Sequence, residues 1–116
     1  MLLYIYPKCS TCKKALKFLE DRNIECEIRN IKEKPPTLKE FNEYNTIGKK
    51  EIKKYFNTSG ILYKELNLKD KLLNMSNEEK IKTLISDGML IKRPLLIGDN
   101  FVINGFKEKE WEDIFN

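Results

Sequence analysis

Two cysteines stand three positions apart near the start of the chain, in the stretch YPKCSTCKK that covers residues 6–14. Cys9 and Cys12 form a CxxC pair, a spacing used for metal binding, for structural disulfides and for thiol–disulfide exchange. The chain has three cysteines and no histidine. Histidine-dependent catalysis and histidine-ligated metal sites are therefore excluded. A zinc site here needs an oxygen ligand or a second chain, so we expect no metal.

The surroundings of the pair favour redox chemistry over two incidental cysteines. Cys9 lies at the start of a predicted helix, where free backbone N–H groups and the helix dipole favour a thiolate over a thiol. Lys8, Lys13 and Lys14 add positive potential. We therefore expect Cys9 to be the nucleophile, and Cys12, one turn further on, to be the resolving thiol. The other residues expected around the thiolate are Ser10, Thr11 and Lys13.

The elements around the pair have the pattern of a βαβ unit. The apolar run Leu2–Tyr6 predicts a buried strand, and the helical spacing of apolar residues predicts a helix from about Ser10 to Arg22 with Asn23 as its C-cap. The alternation in Ile24–Ile28 predicts a second strand. These two strands should be parallel, with a right-handed crossover. Cys26 shares a face with the isoleucines of its strand, so we expect it in the core.

The middle of the chain is predicted to be helical. Pro35-Pro36-Thr37 should cap a new helix, which Gly48 interrupts, and we interpret that glycine as a C-cap. Residues 56–60, FNTSG, predict a turn. The stretch Tyr63–Leu66 and the segment Ser76–Asp87 predict two further helices, the longer one with Gly88 just beyond its end.

The last quarter of the chain returns to the β pattern. Pro94–Ile97 predicts a strand, Gly98–Asn100 a hairpin turn, Phe101–Ile103 its partner strand and Lys107–Phe115 a final helix. The order is βαβ, then a helical insertion over about residues 37–91, then ββα. We therefore expect an α/β protein, a thioredoxin-like mixed β-sheet with an all-helical insertion, in a single domain over residues 1–116.

An arginine–proline pair precedes the third predicted strand. Thioredoxin-like folds place a proline before this strand, in a loop that faces the CxxC pair and often with a cis bond. Pro94 occupies this place, so Arg93 is predicted to lie beside Cys9 and to stabilise its thiolate. The alternative is a surface arginine before a turn proline. Asn57, with Thr58 and Ser59, either lines the site or forms a plain turn.

The composition limits the partners and the location that we expect for the protein. The 116 residues carry a net charge of +4, but lysines alternate with acidic residues and only three arginines are present. That pattern is typical of a solvated helical surface, so we expect no direct nucleic-acid partner. The run at residues 2–6 is too short for a signal peptide, and no run reaches the roughly 18 apolar residues of a membrane span. We expect a cytoplasmic monomer without a membrane partner.

The segments YPKCSTCKKALKFLED, FNTSG and LIKRPLLIGDNFVINGF, with the helical insertion between them, resemble the ArsC/Spx family over essentially the whole chain. The resemblance implies that Cys9 is the nucleophilic thiolate and that Arg93 faces it. It also implies chemistry like that of the arsenate reductases of the family, in which the thiolate attacks arsenate and glutathione and glutaredoxin complete the cycle. Those enzymes lack a cysteine at the position of Cys12 and use two further arginines, which this chain does not have near Asn57 or Phe106.

The CxxC pair makes the chain most similar to the Spx, MgsR and reductase-like members. We therefore expect a thiol-disulfide oxidoreductase of the ArsC-like type that acts on an oxyanion or a protein disulfide. It should need no bound cofactor and take electrons from glutathione with glutaredoxin, or from thioredoxin. The alternative is an Spx-like redox-sensing transcriptional regulator that binds the RNA polymerase α subunit through a surface that includes Gly48.

Overall fold

A mixed four-stranded sheet lies at the centre of the computed structural model, which describes residues 1–115. The strand order is β2-β1-β3-β4. β1 pairs with β2 in parallel and with β3 in antiparallel, and β4 runs antiparallel to β3. This topology confirms the predicted mixed sheet. The strands are β1 (Leu2–Ile5), β2 (Glu27–Asn30), β3 (Leu95–Ile97) and β4 (Val102–Asn104).

Within residues 1–115, six helices surround this sheet, and three single 3-10 turns lie in the insertion. Among the described residues, no helix combines the length and the apolar character needed to cross a membrane. The turns cover Ile52–Tyr55, Leu72–Asn74 and Gly88–Leu90. The helices are α1 (Ser10–Asp21), α2 (Leu38–Gly48), α3 (Ile61–Glu65), α4 (Leu68–Lys71), α5 (Asn77–Ile85) and α6 (Glu108–Phe115). α4 has no counterpart among the elements predicted from the sequence.

Apolar side chains cover both faces of the sheet. Tyr4 and Leu95 face the helical insertion, whereas Leu3 and Leu96 face α1 and α6. This division follows from the alternation of side chains along a strand. Trp111 of α6 is fully buried in the second layer, and its Nε1 donates a hydrogen bond to the carbonyl oxygen of Gly105 at 3.1 Å. β1, which leads to the CxxC turn, and β3, which follows Arg93, therefore lie between two apolar layers.

The second strand begins later than predicted, at Glu27 and not at Ile24. Asn23 takes the left-handed conformation after α1, and the N–H of Ile24 donates to the carbonyl oxygen of Leu19 at 2.9 Å. This is the Schellman arrangement, so Ile24 belongs to the end of the helix. Cys26 lies between the two elements. It is half-buried, which raises the pKa of its thiol.

Ile28 shares a face with Cys26 and Ile24, as predicted, because all three line one shallow depression beside α1. Ile28 lies within β2, paired with Leu3, and is exposed. Cys26 precedes the strand and packs partly against the layer formed by α1 and α6. β2 is an outer strand of the sheet, so this face is partly open and Cys26 is half-buried there, not in the core as expected.

Gly48 is the last residue of α2 and not its C-cap, which corrects the sequence interpretation. Lys49 takes the left-handed conformation, with a φ of 52°. A Cβ atom on Gly48 would lie 2.8 Å from the hydroxyl of Tyr55 and 3.0 Å from Cβ of Val102. The helix end therefore packs directly on β4, and this close approach accounts for the glycine.

Candidate active site

Cys9 and Arg93 meet because of the pairing between β1 and β3. Tyr4 of β1 lies opposite Leu95 of β3 in the antiparallel ladder. The segment that follows β1 and the segment that precedes β3 therefore leave the sheet at the same edge. Pro94 is buried, and the Arg93–Pro94 peptide bond is cis.

Cys9 is the N-cap residue of α1. Its carbonyl oxygen accepts the N–H of Lys13 at 3.1 Å, and its side chain is half-buried. Burial alone raises the pKa of Cys9. The backbone N–H and the thiol of Cys12, together with the guanidinium of Arg93, outweigh that effect and hold the pKa below its ordinary value. Thiolate character is therefore favoured at Cys9.

Cys12 has the opposite environment. Its side chain is buried in the apolar layer against Ala15 and its neighbours. Burial, reinforced by the adjacent thiol of Cys9, raises the pKa of Cys12 to about 12. The two thiols of the pair thus differ in acidity: Cys12 is the weaker acid and lies under the more acidic Cys9.

The guanidinium of Arg93 is held by backbone oxygens. Its Nη1 donates to the carbonyl oxygens of Met89 at 3.2 Å and of Ile91 at 3.4 Å, and the group lies 5.8 Å from the ring centre of Tyr6. Its Nε is buried and has no hydrogen-bond partner within residues 1–115. The side chain is therefore fixed in place and keeps donor capacity for an anion or a thiolate.

A cavity of about 430 Å³ opens beside Cys9. Its walls carry three basic side chains and no carboxylate from the described part of the chain. The lining residues are Cys9, Thr11, Asn57, Ser59, Lys92, Arg93, Asn104, Gly105, Phe106 and Lys107. The cavity therefore suits an anionic group next to a reactive sulfur.

The cavity brings together some of the predicted site residues and leaves others out. Cys9, Thr11, Asn57 and Arg93 line it. Cys12 lies beneath Cys9 in the core, so its access is through Cys9. The predicted residues outside the lining are Cys12, Ser10, Lys13, Pro94 and Gly48. Ser10 and Lys13 are exposed, and Gly48 packs on β4.

Three polar residues of the cavity, Lys92, Asn104 and Lys107, were missed by the sequence analysis. The sequence does not distinguish them from other polar residues, and the register of the hairpin places them in the cavity. In an antiparallel hairpin the residue that precedes β3 comes beside the residue that follows β4, and the register pairs Leu95 with Asn104. Within residues 1–115, no three cysteine or carboxylate side chains are grouped to hold a metal ion.

Comparison with known proteins gives a consistent family. The model of the ArsC family matches residues 4–114. The uncharacterized protein YusI of Bacillus subtilis is 47% identical over 97% of this chain and 96% of its own length. An arsenate reductase of Haemophilus influenzae is 32% identical over 94% of this chain and 88% of its own. The regulatory protein MgsR of Bacillus subtilis is 26% identical over 95% of this chain and 86% of its own.

The fold is shared with solved structures as well. The crystal structure of a protein described as ArsC family related, from Bacteroides fragilis, is 46% identical and superposes with a TM-score of 0.91. The match covers 97% of this chain and 95% of that one. The chain is therefore a member of the ArsC family, with a thioredoxin-like fold.

Proposed function

We propose that the protein is a thiol–disulfide reductase that uses Cys9 and Cys12 as its redox pair. The observation that carries the proposal is the opposite shift of the two thiol pKa values. Cys9 is made acidic at a helix start beside Arg93, and Cys12 is kept protonated in the core. A reductase of this kind needs one ready nucleophile and one thiol that reacts only after the first has formed a bond.

The two steps follow from this arrangement. The Cys9 thiolate attacks one sulfur of a substrate disulfide, the substrate S–S bond breaks, and a substrate thiolate leaves. Cys12 then gives its proton to the departing sulfur and attacks Sγ of Cys9, which releases the second substrate thiol. The substrate gains two electrons and the pair becomes a Cys9–Cys12 disulfide. Arg93 stabilises the anionic form of Cys9 both as attacking and as leaving group.

The cycle closes when an external thiol reduces the Cys9–Cys12 disulfide. Glutathione with glutaredoxin, or thioredoxin, supplies the two electrons, and the proposed chemistry needs no bound cofactor. This assignment implies a reducing compartment, and we place the protein in the cytoplasm; its three free cysteines support that setting. Arsenate is the second substrate class. Its support is the basic cavity and the similarity to the Haemophilus influenzae arsenate reductase.

The test compares the wild-type protein with two serine variants in a coupled assay. A model disulfide, and separately arsenate, is supplied with glutathione, glutaredoxin and a reductant-recycling system. We expect Cys9→Ser to abolish turnover and Cys12→Ser to accumulate a mixed disulfide that mass spectrometry detects. Turnover that survives in Cys9→Ser would sink the proposal.

A redox-sensing regulator is the second candidate. Its support is the similarity to MgsR over 95% of the chain, together with the CxxC pair. In this reading the oxidised protein binds the RNA polymerase α subunit without turnover. Gly48→Arg is an unsuitable probe of that contact, because any side chain at this position meets Tyr55 and Val102. Calorimetric titration of the α subunit with the oxidised and reduced forms decides the matter: saturable binding by the oxidised form favours the regulator.

A further inference from the structure

A groove continues from the cavity beside Cys9 along the outer edge of β4. Its volume is about 570 Å³. Lys92, Asn104 and Lys107 line both the cavity and the groove, so the two spaces are joined. One side of the groove carries Lys50 and Lys54, around the 3-10 turn after α2, and the other side is α6. A ligand that lies in the groove therefore reaches the cavity at Cys9.

The backbone of β4 offers free hydrogen-bonding groups to this groove. β4 is the outer strand of the sheet. The N–H of Gly105 donates to the carbonyl oxygen of Pro94 at 2.8 Å, and that of Gly98 donates to Phe101 at 2.9 Å. Because bonded pairs alternate with non-bonded pairs in an antiparallel ladder, the N–H and C=O groups of Val102 and Asn104 face away from β3. They are placed to pair with one added strand.

The groove is strongly basic. Lys50, Lys54, Lys92 and Lys107 line it, against one carboxylate, that of Glu110. Nζ of Lys50 donates to Oδ1 of Asn104 at 2.9 Å, which places this charge over the strand edge. Four lysines against one carboxylate leave an excess of three positive charges along the groove, compared with a net charge of +4 for the whole chain.

We propose that this groove docks an extended acidic segment of a partner polypeptide, which pairs with β4 and brings its disulfide to Cys9. The proposal rests on the proposed function and names the substrate class of the same site. An extended segment advances about 3.3 Å per residue. A stretch that pairs along Val102–Asn104 therefore places its following residues at the cavity. A free oxyanion fills only a small part of the joined space. A strand with acidic side chains contacts both the lysines of the groove and the free edge of β4.

The chemistry at the end of the groove is the exchange described above. The Cys9 thiolate bonds to the sulfur of the docked segment, the substrate S–S bond breaks, and the other sulfur leaves as a thiolate. The resolving attack of Cys12 then frees the segment as a thiol, with two electrons passed from the protein pair to the partner disulfide. Docking changes the rate of the first step and leaves its chemistry unaltered.

Synthetic peptides provide the test. Two short extended peptides carry one cysteine, blocked as a mixed disulfide with 2-thiopyridine, and differ only in having glutamates or glutamines beside it. The reduced protein attacks the peptide sulfur, and absorbance follows the released thiopyridone. We expect the glutamate peptide to react about five- to tenfold faster at low salt, with the advantage falling as salt rises. Equal rates for the two peptides would overturn the proposal.

A pair of charge variants locates the effect. Lys50→Gln combined with Lys54→Gln should remove most of the advantage of the glutamate peptide over the glutamine peptide, measured as the ratio of the two rates. Lys49→Gln combined with Lys53→Gln is the matched control, since both lysines are exposed near the same 3-10 turn but outside the groove. An equal effect of the control and the groove variants would show that only the general charge of the protein matters, which contradicts a docking groove.

Strand pairing has its own test. A glutamate peptide that is N-methylated at alternate residues cannot donate hydrogen bonds to a strand edge. It should lose the rate advantage, and in NMR titrations of the unblocked serine analogue the amides of Val102 and Asn104 should shift. An unchanged rate with the methylated peptide would overturn the pairing. Competition by a single-stranded oligonucleotide as strong as that by the peptide would overturn the choice of partner.

A neutral reagent separates this proposal from the function on which it rests. Dipyridyl disulfide needs no groove, so its fast reaction at Cys9 tests the activated thiolate alone. Slow reaction with this reagent would refute the reductase, whereas fast reaction without any preference for the acidic peptide would refute only the docking groove.

Discussion

Nη1 of Arg93 donates a hydrogen bond to the carbonyl oxygen of Met89 at 3.2 Å, and this contact fixes the guanidinium beside the CxxC turn. The backbone of the 3-10 turn before β3 therefore sets the orientation of the arginine, and no substrate is needed to fix it. Its charge acts on Cys9 in the free protein, lowering the pKa of that thiol together with the groups of Cys12.

Removal of this charge is expected to raise the pKa of Cys9. The measurement is the rate of alkylation by iodoacetamide between pH 5 and 10, in the Cys12→Ser background so that one fast thiol is followed. Arg93→Ala should move the titration to higher pH and slow alkylation at neutral pH. Arg93→Lys should restore part of the effect, because an ammonium is a point charge without the paired donors of the guanidinium. A titration curve identical in all three proteins would contradict the arrangement.

Cys12 is expected to make the reduced protein less stable at alkaline pH. The folded state holds the pKa of Cys12 near 12, above the value of about 8.5 for an unfolded chain. The buried, protonated thiol of Cys12 therefore makes its full contribution to the stability of the folded state below pH 8.5. That contribution is lost as pH rises toward 12. Urea unfolding at pH 8, 9 and 10 under a phosphine reductant should show the free energy of unfolding of wild type falling relative to that of Cys12→Ser. A constant difference between the two proteins would argue against a buried thiol.

Substitutions of two neighbouring residues at the end of α2 are expected to differ in their effect on stability: the first destabilises the protein and the second does not. Gly48→Ala places a Cβ against Tyr55 and Val102, and overpacking of this kind costs about 1–3 kcal/mol. Lys49→Gly relieves a left-handed residue, with a φ of 52°, and should be stabilising or neutral within about 1 kcal/mol. Chemical denaturation of both variants checks the pair. The reverse order of stabilities would restore Gly48 as the C-cap.

The hydrogen bond from Trp111 should stabilise the wall of the cavity. Trp111→Phe leaves the buried carbonyl oxygen of Gly105 without its indole donor, which costs about 1–3 kcal/mol. The loss is measured by urea unfolding followed by circular dichroism, since the chain has one tryptophan. Phe101→Leu, at a half-exposed aromatic of the same layer, is the control and should cost less. Equal losses would show that the hydrogen bond contributes nothing.

Much of the fold was predictable because local signals and tertiary packing agree. The capping boxes at Thr37 and Ser76 begin helices where the sequence predicts them. The change from a continuous apolar run to helical spacing after the first strand predicts the position of the CxxC turn. Prediction failed where one pattern crossed two elements: the alternation at Ile24–Ile28 spans a helix exit and a strand. It also failed at Leu68–Lys71, where only packing in the insertion identifies a single helical turn.

The site was predictable only in part, for a physical reason. Cys9 belongs to the CxxC pair, and Arg93 belongs to the arginine–proline pair before the third strand. These two motifs predict that Cys9 and Arg93 lie together. Lys92 and Lys107 are two of 22 basic residues, and nothing in their types distinguishes them from lysines on the surface. Their place in the cavity follows from the register of the hairpin, which is a property of the folded backbone.

The pairing of β1 with β3 has a consequence for a severed chain. Cys9 follows one strand and Arg93 precedes the other, and the covalent path between them runs through the whole helical insertion. A nick beside Leu73, whose side chain is exposed in that insertion, puts the nucleophile and its arginine on separate fragments. Reassociation of the fragments across the β1–β3 ladder would then rebuild the acidic thiol, so that the reactivity of Cys9 reports fragment complementation.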